Sequence, residues 1–171
     1  MKHTVLRSLF PAALIFLLFS CSPDPIDKVP VANNNINNSV STVNYDYSED
    51  ETVLVNIIND YRISIGLKKL ELIDYVSYKS EEHDLFMIQN NEVSHAGFEE
   101  RAEDIEKVLD AAMVSENIAY NYETSELALK AWLASPGHKA NIEGAFTHFG
   151  ISIRVNPTNG KKYYTNIFVN K

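Results

Sequence analysis

The side chains best suited to chemistry in this 171-residue chain are its histidines. His3 falls in the N-terminal leader, which leaves His83, His95, His138 and His148. None of them forms HExxH, the i, i+4 spacing that lets one helix face hold zinc, so a zincin is not supported. "EVSH" contains one Glu-x-x-His pair, Glu92 and His95. Di-iron bundles need two such pairs on long helices, and Gly97 interrupts any helix here. In "SPGHKANI", residues Ser135 to Ile142, His138 stands third in a helix start, with Ser135 as N-cap and Pro136 first. The positive end of a helix disfavours an imidazolium, and a neutral ring is what a metal ligand or general base needs. The same position also suits a histidine that only packs on Trp132.

Glu116 is the most informative acid. In "SENIAY" it alternates onto one strand face with Ile118 and Tyr120. If that face is buried, the carboxylate inside must be hydrogen-bonded, paired or protonated. If the strand lies at an edge, Glu116 faces water, and alternation alone leaves both open. His83 lies on the apolar face of a helix and reads as a core residue. His148 begins a strand. Nucleophiles are scarce: no GxSxG elbow is present, and only Ser94 and Ser135 neighbour a candidate histidine.

These residues need elements to position them. "SEDETVLVNIINDYRISIG" places Leu54, Ile57, Ile58, Tyr61 and Ile65 at helical spacing, with a Ser48/Glu51 capping box before them and Gly66 as the stop. "LKKLELID" is expected to be a short extended link. A second helix is expected from about Tyr75 to Asn90, with Val76, Ser80, His83 and Met87 on one face. A charged third helix covers 99–110, and a fourth covers 125–134. Strands follow in "SENIAY", "FTHFGISIRV" and "KKYYTNIFV", the last two joined by the turn "NPTNG". Helices first and an antiparallel sheet towards the C-terminus predict an α+β layered domain.

The N-terminus reads as an export signal. Lys2 and Arg7 precede an apolar run from Leu9 to Phe19, too short to span a bilayer. Ser20-Cys21 resembles the lipobox of bacterial lipoproteins, in which the cysteine becomes a lipid-modified N-terminus. Cys21 is the chain's one cysteine, so no intramolecular disulfide can form. The expected organisation is a signal peptide at 1–20, a lipidated Cys21 and disordered Pro/Asn/Ser-rich tether at 21–48, and a folded domain at 49–171. Removing the signal takes away Lys2 and Arg7 and no acid, moving the formal charge from −8 to −10. A chain this acidic, without a basic run or phosphate loop, is not expected to bind nucleic acid.

From Glu51 to Val169 these pieces resemble the CAP superfamily, also called SCP-like extracellular domains, in its bacterial form. The resemblance rests on "YRISIGLKKLEL", "HDLFMIQNNEVSHAGFEER", "SENIAYNY", "AWLASPGHKANI", "FTHFGISI" and "YYTNIFV" in that order. It implies a three-layer α-β-α sandwich with a central antiparallel sheet, and a cleft lined by two histidines and acids. His95 matches the first family histidine, Glu116 the glutamate of Gly-Glu-Asn, and His138 the second histidine. In the family, the two histidines can hold a divalent metal, commonly zinc. Two departures stand out. "WLAS" puts Ser135 or a neighbour where animal and plant members carry a second cleft glutamate, and Ser115 replaces the glycine before Glu-Asn.

Three arrangements of the site follow. His95, Glu116 and His138 could all ligate zinc or another divalent metal, leaving one position open. The histidines alone could bind it, with Glu116 taking a proton from bound water. Without metal, Glu116 could hydrogen-bond an imidazole and fix the cleft. The function expected first is a monomeric, non-enzymatic binding module, lipid-anchored at Cys21 to a bacterial membrane and extracytoplasmic, taking a lipid, peptide or envelope polymer. The alternative is a metal-assisted hydrolase, a peptidase or envelope-modifying enzyme, with His95, Glu116 and His138 as its catalytic residues.

Overall fold

The computed structural model describes residues 43–171. The signal peptide, Cys21 and most of the expected tether therefore lie outside the described residues. Helix α1 spans Glu49–Ser64 and opens with the reciprocal capping box: the Glu51 amide donates to Ser48 Oγ at 3.2 Å, and the Ser48 amide to Glu51 Oε2 at 2.7 Å. Then come strand β1 (Glu71–Leu72), helices α2 (Asp74–Asn90) and α3 (Phe98–Leu109), strand β2 (Met113–Tyr120), helices α4 (Ser125–Ala134) and α5 (Pro136–Ile142), and strands β3 (His148–Val155) and β4 (Lys162–Asn170).

The four strands form one sheet in the order β1-β3-β4-β2. The three long strands pair antiparallel, as expected. Short β1 adds to β3 in parallel, with Glu71 beside His148, so the sheet is mixed rather than wholly antiparallel. Its two residues come from the segment read as an extended link. The buried Asn59 side chain fixes that segment by exchanging two hydrogen bonds with the Leu70 backbone, at 2.8 and 3.0 Å.

Helices cover both sheet faces, giving α+β layers. On one face α1, α4 and α5 bring Leu54, Ile58, Leu129, Trp132 and Ile142 onto Phe149, Ile151, Tyr164 and Phe168. On the other, α2 and α3 bring Val76, Ile105, Leu109 and Met87 onto Ile167, Val169, Ile118 and Tyr163. The period-2 alternation of β4 thus feeds two cores. Gly150 sets how closely α2 approaches the sheet: a Cβ there would stand 2.3 Å from backbone atoms of Val76 and Ser77.

The domain also begins earlier than expected. Residues 43–48, expected in the tether for their polar surroundings, pack on the domain instead: Tyr45 is buried and Tyr47 packs beside the core. The two rings meet edge-on at 4.8 Å. The Tyr45 hydroxyl donates to Glu51, and that of Tyr47 to Asp74. Two aromatic rings bury enough apolar area to hold the segment down, so the folded unit takes in residue 43.

Candidate functional site

β2 carries the acid at the centre of the site. Residues Glu116 to Ala119 are all buried, because helices cover both faces even though β2 is an edge strand. Glu116 points to the α2/α3 side, in register with Ile167. Its side chain is 1% exposed, and both oxygens are occupied. Oε1 lies 2.8 Å from His95 Nδ1. Oε2 accepts from Arg101 Nε at 3.0 Å and Nη2 at 2.6 Å. A two-pronged guanidinium clamp of this kind offsets the cost of burying a carboxylate.

Arg101 is the functional residue that sequence reasoning missed. It sits on α3 among Glu99, Glu100, Glu103 and Asp104, where a cation reads as one more solvated helix charge. The available signal was the buried acid itself, which requires a partner, and Arg101 is the one arginine of that helix.

His95 lies in the short connection between α2 and α3. The turn is made by left-handed residues at both ends, Asn91 (φ 48°) and Gly97 (φ 68°). Its side chain is half exposed. With Nδ1 facing a carboxylate, that nitrogen is the donor, and in a neutral ring Nε2 then carries the lone pair. Glu92 of the same connection accepts from the Ser94 hydroxyl instead of joining the cleft.

His138 stands in the first turn of α5, as the sequence predicts. Ser135 is the N-cap by backbone conformation, but its side chain makes no capping bond. The helix is fixed to β2 through asparagines: Asn117 Nδ2 donates to the His138 carbonyl at 2.9 Å, and Asn141 Nδ2 to Asn117 Oδ1 at 2.8 Å. Burial, and then the neighbouring His95, push the His138 imidazole below the usual histidine pKa, so the ring is neutral at neutral pH. His138 and Ser135 share a cavity of about 350 Å³ with Ala119, Tyr120, Tyr122 and Trp132. Trp132 is held by its indole N–H, which donates to the Ile118 carbonyl at 2.8 Å.

His83, read as a core residue, is 2% exposed but lies under the cleft, with Nε2 3.9 Å from Glu116 Oε1 and 2.8 Å from the Ser94 carbonyl. His148 is remote from this group, beside Glu71 at the sheet edge.

The donor set tests the expected metal arrangements. Among the described residues, no three His, Cys, Asp or Glu side chains converge closely enough to hold a metal ion. Both Glu116 oxygens already have partners, Oε1 in His95 and Oε2 in Arg101. The three-ligand arrangement with His95, Glu116 and His138 would require Glu116 to loosen its hold on one of these partners. Two imidazoles, one oriented from behind by a carboxylate, do fit the donor chemistry of a divalent metal.

Comparison with known proteins agrees with this architecture. Over 127 residues the chain is 32% identical to the uncharacterized membrane protein YlbC of Bacillus subtilis (strain 168), an alignment covering 71% of this chain and 34% of that protein. The chain thus spans about a third of that relative's length. An outer surface protein from Borrelia burgdorferi superposes with a TM-score of 0.64 at 20% identity, covering 74% of this chain and 96% of that one. An extracellular SCP-domain protein from Bacillus anthracis str. Ames superposes with a TM-score of 0.61 at 23% identity, covering 75% and 45%. These relatives are membrane, outer-surface or extracellular proteins. Residues 55–169 match the family described as CAP, the cysteine-rich secretory protein family, and the chain belongs to it.

Proposed function

We propose that the protein is an extracytoplasmic, membrane-anchored binding module whose cleft holds a divalent metal between His95 and His138. The observation that carries this reading is the Glu116 carboxylate, fixed by Arg101 and hydrogen-bonded to His95 Nδ1. It orients the imidazole so that Nε2 is the free nitrogen, as a carboxylate behind a metal-binding histidine does. His138, kept neutral by its surroundings, supplies the second nitrogen. A bound zinc would act there as a Lewis acid towards one group of a ligand. The aromatic cavity beside His138 supports a ligand with an apolar part, from a lipid, a peptide or an envelope polymer. The metal-assisted hydrolase reading has less support, because both oxygens of Glu116, its candidate base, are already engaged by His95 and Arg101.

Calorimetric titration of the metal-free protein with zinc tests this. Heat of binding is expected from the native chain and none from the His95→Ala/His138→Ala chain, with proton competition below about pH 6–7. Equal heats from the two proteins would remove the metal site. Attachment through Cys21 rests on the sequence of the leader. Cys21→Ala is expected to shift the protein out of the membrane fraction, and unchanged retention would overturn the anchor.

A further inference from the structure

β2 pairs with a neighbour, β4, on one side only. In an antiparallel pair, alternate residues turn both backbone groups to the partner, and those between turn both away. Here the odd-numbered residues of β2 face β4. Just past the strand the Asn121 amide keeps that pattern, donating to the Lys162 carbonyl at 2.7 Å. Glu116, Ile118 and Tyr120 therefore turn their backbone groups outward. Two of their carbonyls are taken by side chains: Asn141 Nδ2 donates to that of Glu116 at 3.3 Å, and the Trp132 indole to that of Ile118 at 2.8 Å. The outward amides of Ile118 and Tyr120 have no hydrogen-bond partner among the described residues. An edge with unpaired backbone groups is a template for another extended chain.

This part of the edge meets the cavity of about 350 Å³ beside His138. The side chains of Ile118 and Tyr120 turn to the α2 side, where they pack with Met87 and Tyr163. Trp132, Ser135 and His138 line the cavity from the α4/α5 side. Between these layers, Ile118 and Tyr120 present the strand edge. Their amides are two residues apart, about 7 Å along a strand. Carbonyls on one side of an extended peptide repeat at that same interval, so a peptide meets both donors at once. An acyl chain has no such repeat. No charged side chain lines the cavity, so the side chain it accepts is uncharged.

We propose that the outer edge of β2 at Ile118–Tyr120 binds an extended peptide, whose carbonyls at alternate residues accept from the Ile118 and Tyr120 amides while an uncharged side chain sits in the cavity beside His138. This deepens the reading of that cavity as the ligand-binding part of the module, and it requires no metal.

The test is amide hydrogen exchange of the metal-free full chain, with and without a blocked pentapeptide of alternating valine and alanine. Exchange of the Ile118 and Tyr120 amides is expected to slow about tenfold or more at saturation. The amides of Asn117 and Ala119, already turned to β4, are expected to stay unchanged. Octanoate and N-acetylglucosamine, standing for a lipid and an envelope polymer, are expected to leave all four unchanged. Two variants check the geometry. The α-hydroxy acid analogue of tyrosine at position 120 removes one donor and keeps the ring, and Ala131→Phe fills the cavity from α4. Each is expected to weaken peptide binding about tenfold or more. Peptide binding without protection of the two amides, or unchanged affinity in both variants, would overturn the proposal. So would protection of these amides before peptide is added, which assigns the edge to another segment of this chain or to a second copy. Binding of octanoate or N-acetylglucosamine but not of peptide would overturn this proposal and leave the binding-module reading standing.

Discussion

Replacing Arg101 with alanine is expected to lower the unfolding free energy by about 3–5 kcal/mol, measured by urea denaturation at neutral pH. The magnitude follows from what is left behind. Glu116 stays in a position where its side chain is 1% exposed, and it loses both guanidinium hydrogen bonds. Of its hydrogen bonds only the one with His95 remains. Removing the charge as well, in Arg101→Ala/Glu116→Gln, is expected to recover much of the loss, since a neutral amide costs less to bury. Arg101→Lys recovers only part, because an ammonium cannot present two parallel donors to one oxygen. A loss under about 1 kcal/mol for Arg101→Ala would place this pair among ordinary surface salt bridges and overturn its role as a buried clamp on Glu116.

Asp84 is expected to give the domain its strongest pH dependence. The carboxyl is fully buried on α2, where Thr165 Oγ1 donates to Oδ1 at 2.7 Å and Oδ2 has no partner. Burial holds its pKa well above the usual carboxylate range. The Thr165 hydrogen bond and Arg154 oppose that shift, and Glu51 adds to it. The folded state therefore keeps a proton that the unfolded chain releases. That contribution is fully present below the ordinary aspartate pKa and is lost as pH rises towards the folded value, at up to about 1.4 kcal/mol per pH unit for one proton. Asp84→Asn mimics the protonated side chain and removes the slope. It is expected to match the native chain in stability at low pH and to exceed it increasingly as pH rises. Parallel stability–pH curves for the two proteins would contradict a protonated Asp84.

What the sequence made legible was local. The Ser48/Glu51 box, the Gly66 stop and the Asn156–Gly160 hairpin rest on neighbours a few residues apart, and each stands where it was expected. The grouping of His95, Glu116 and His138 came from family resemblance, since these residues lie on three separate segments. Glu116 shows why alternation could not decide: a strand covered on both faces buries consecutive residues, and period 2 then carries no burial signal. Arg101 was hidden because its partner is on another element, and a cation flanked by acids on a charged helix looks solvated. Tyr45 and Tyr47 were hidden by composition, as the Asn- and Ser-rich stretch before them outweighed two aromatic residues in the tether reading. The parallel β1 edge is only two residues long, too short for any periodic pattern.

In the proposed site, Glu116 orients His95 rather than offering a third metal ligand. The most direct measurement of that role is the long-range ¹H–¹⁵N spectrum of the His95 ring in metal-free protein, at a pH where the imidazole is neutral. A protonated Nδ1 and an unprotonated Nε2 are expected, with a shift of this balance in Glu116→Gln. A ring protonated at Nε2, or one unaffected by Glu116→Gln, would contradict it.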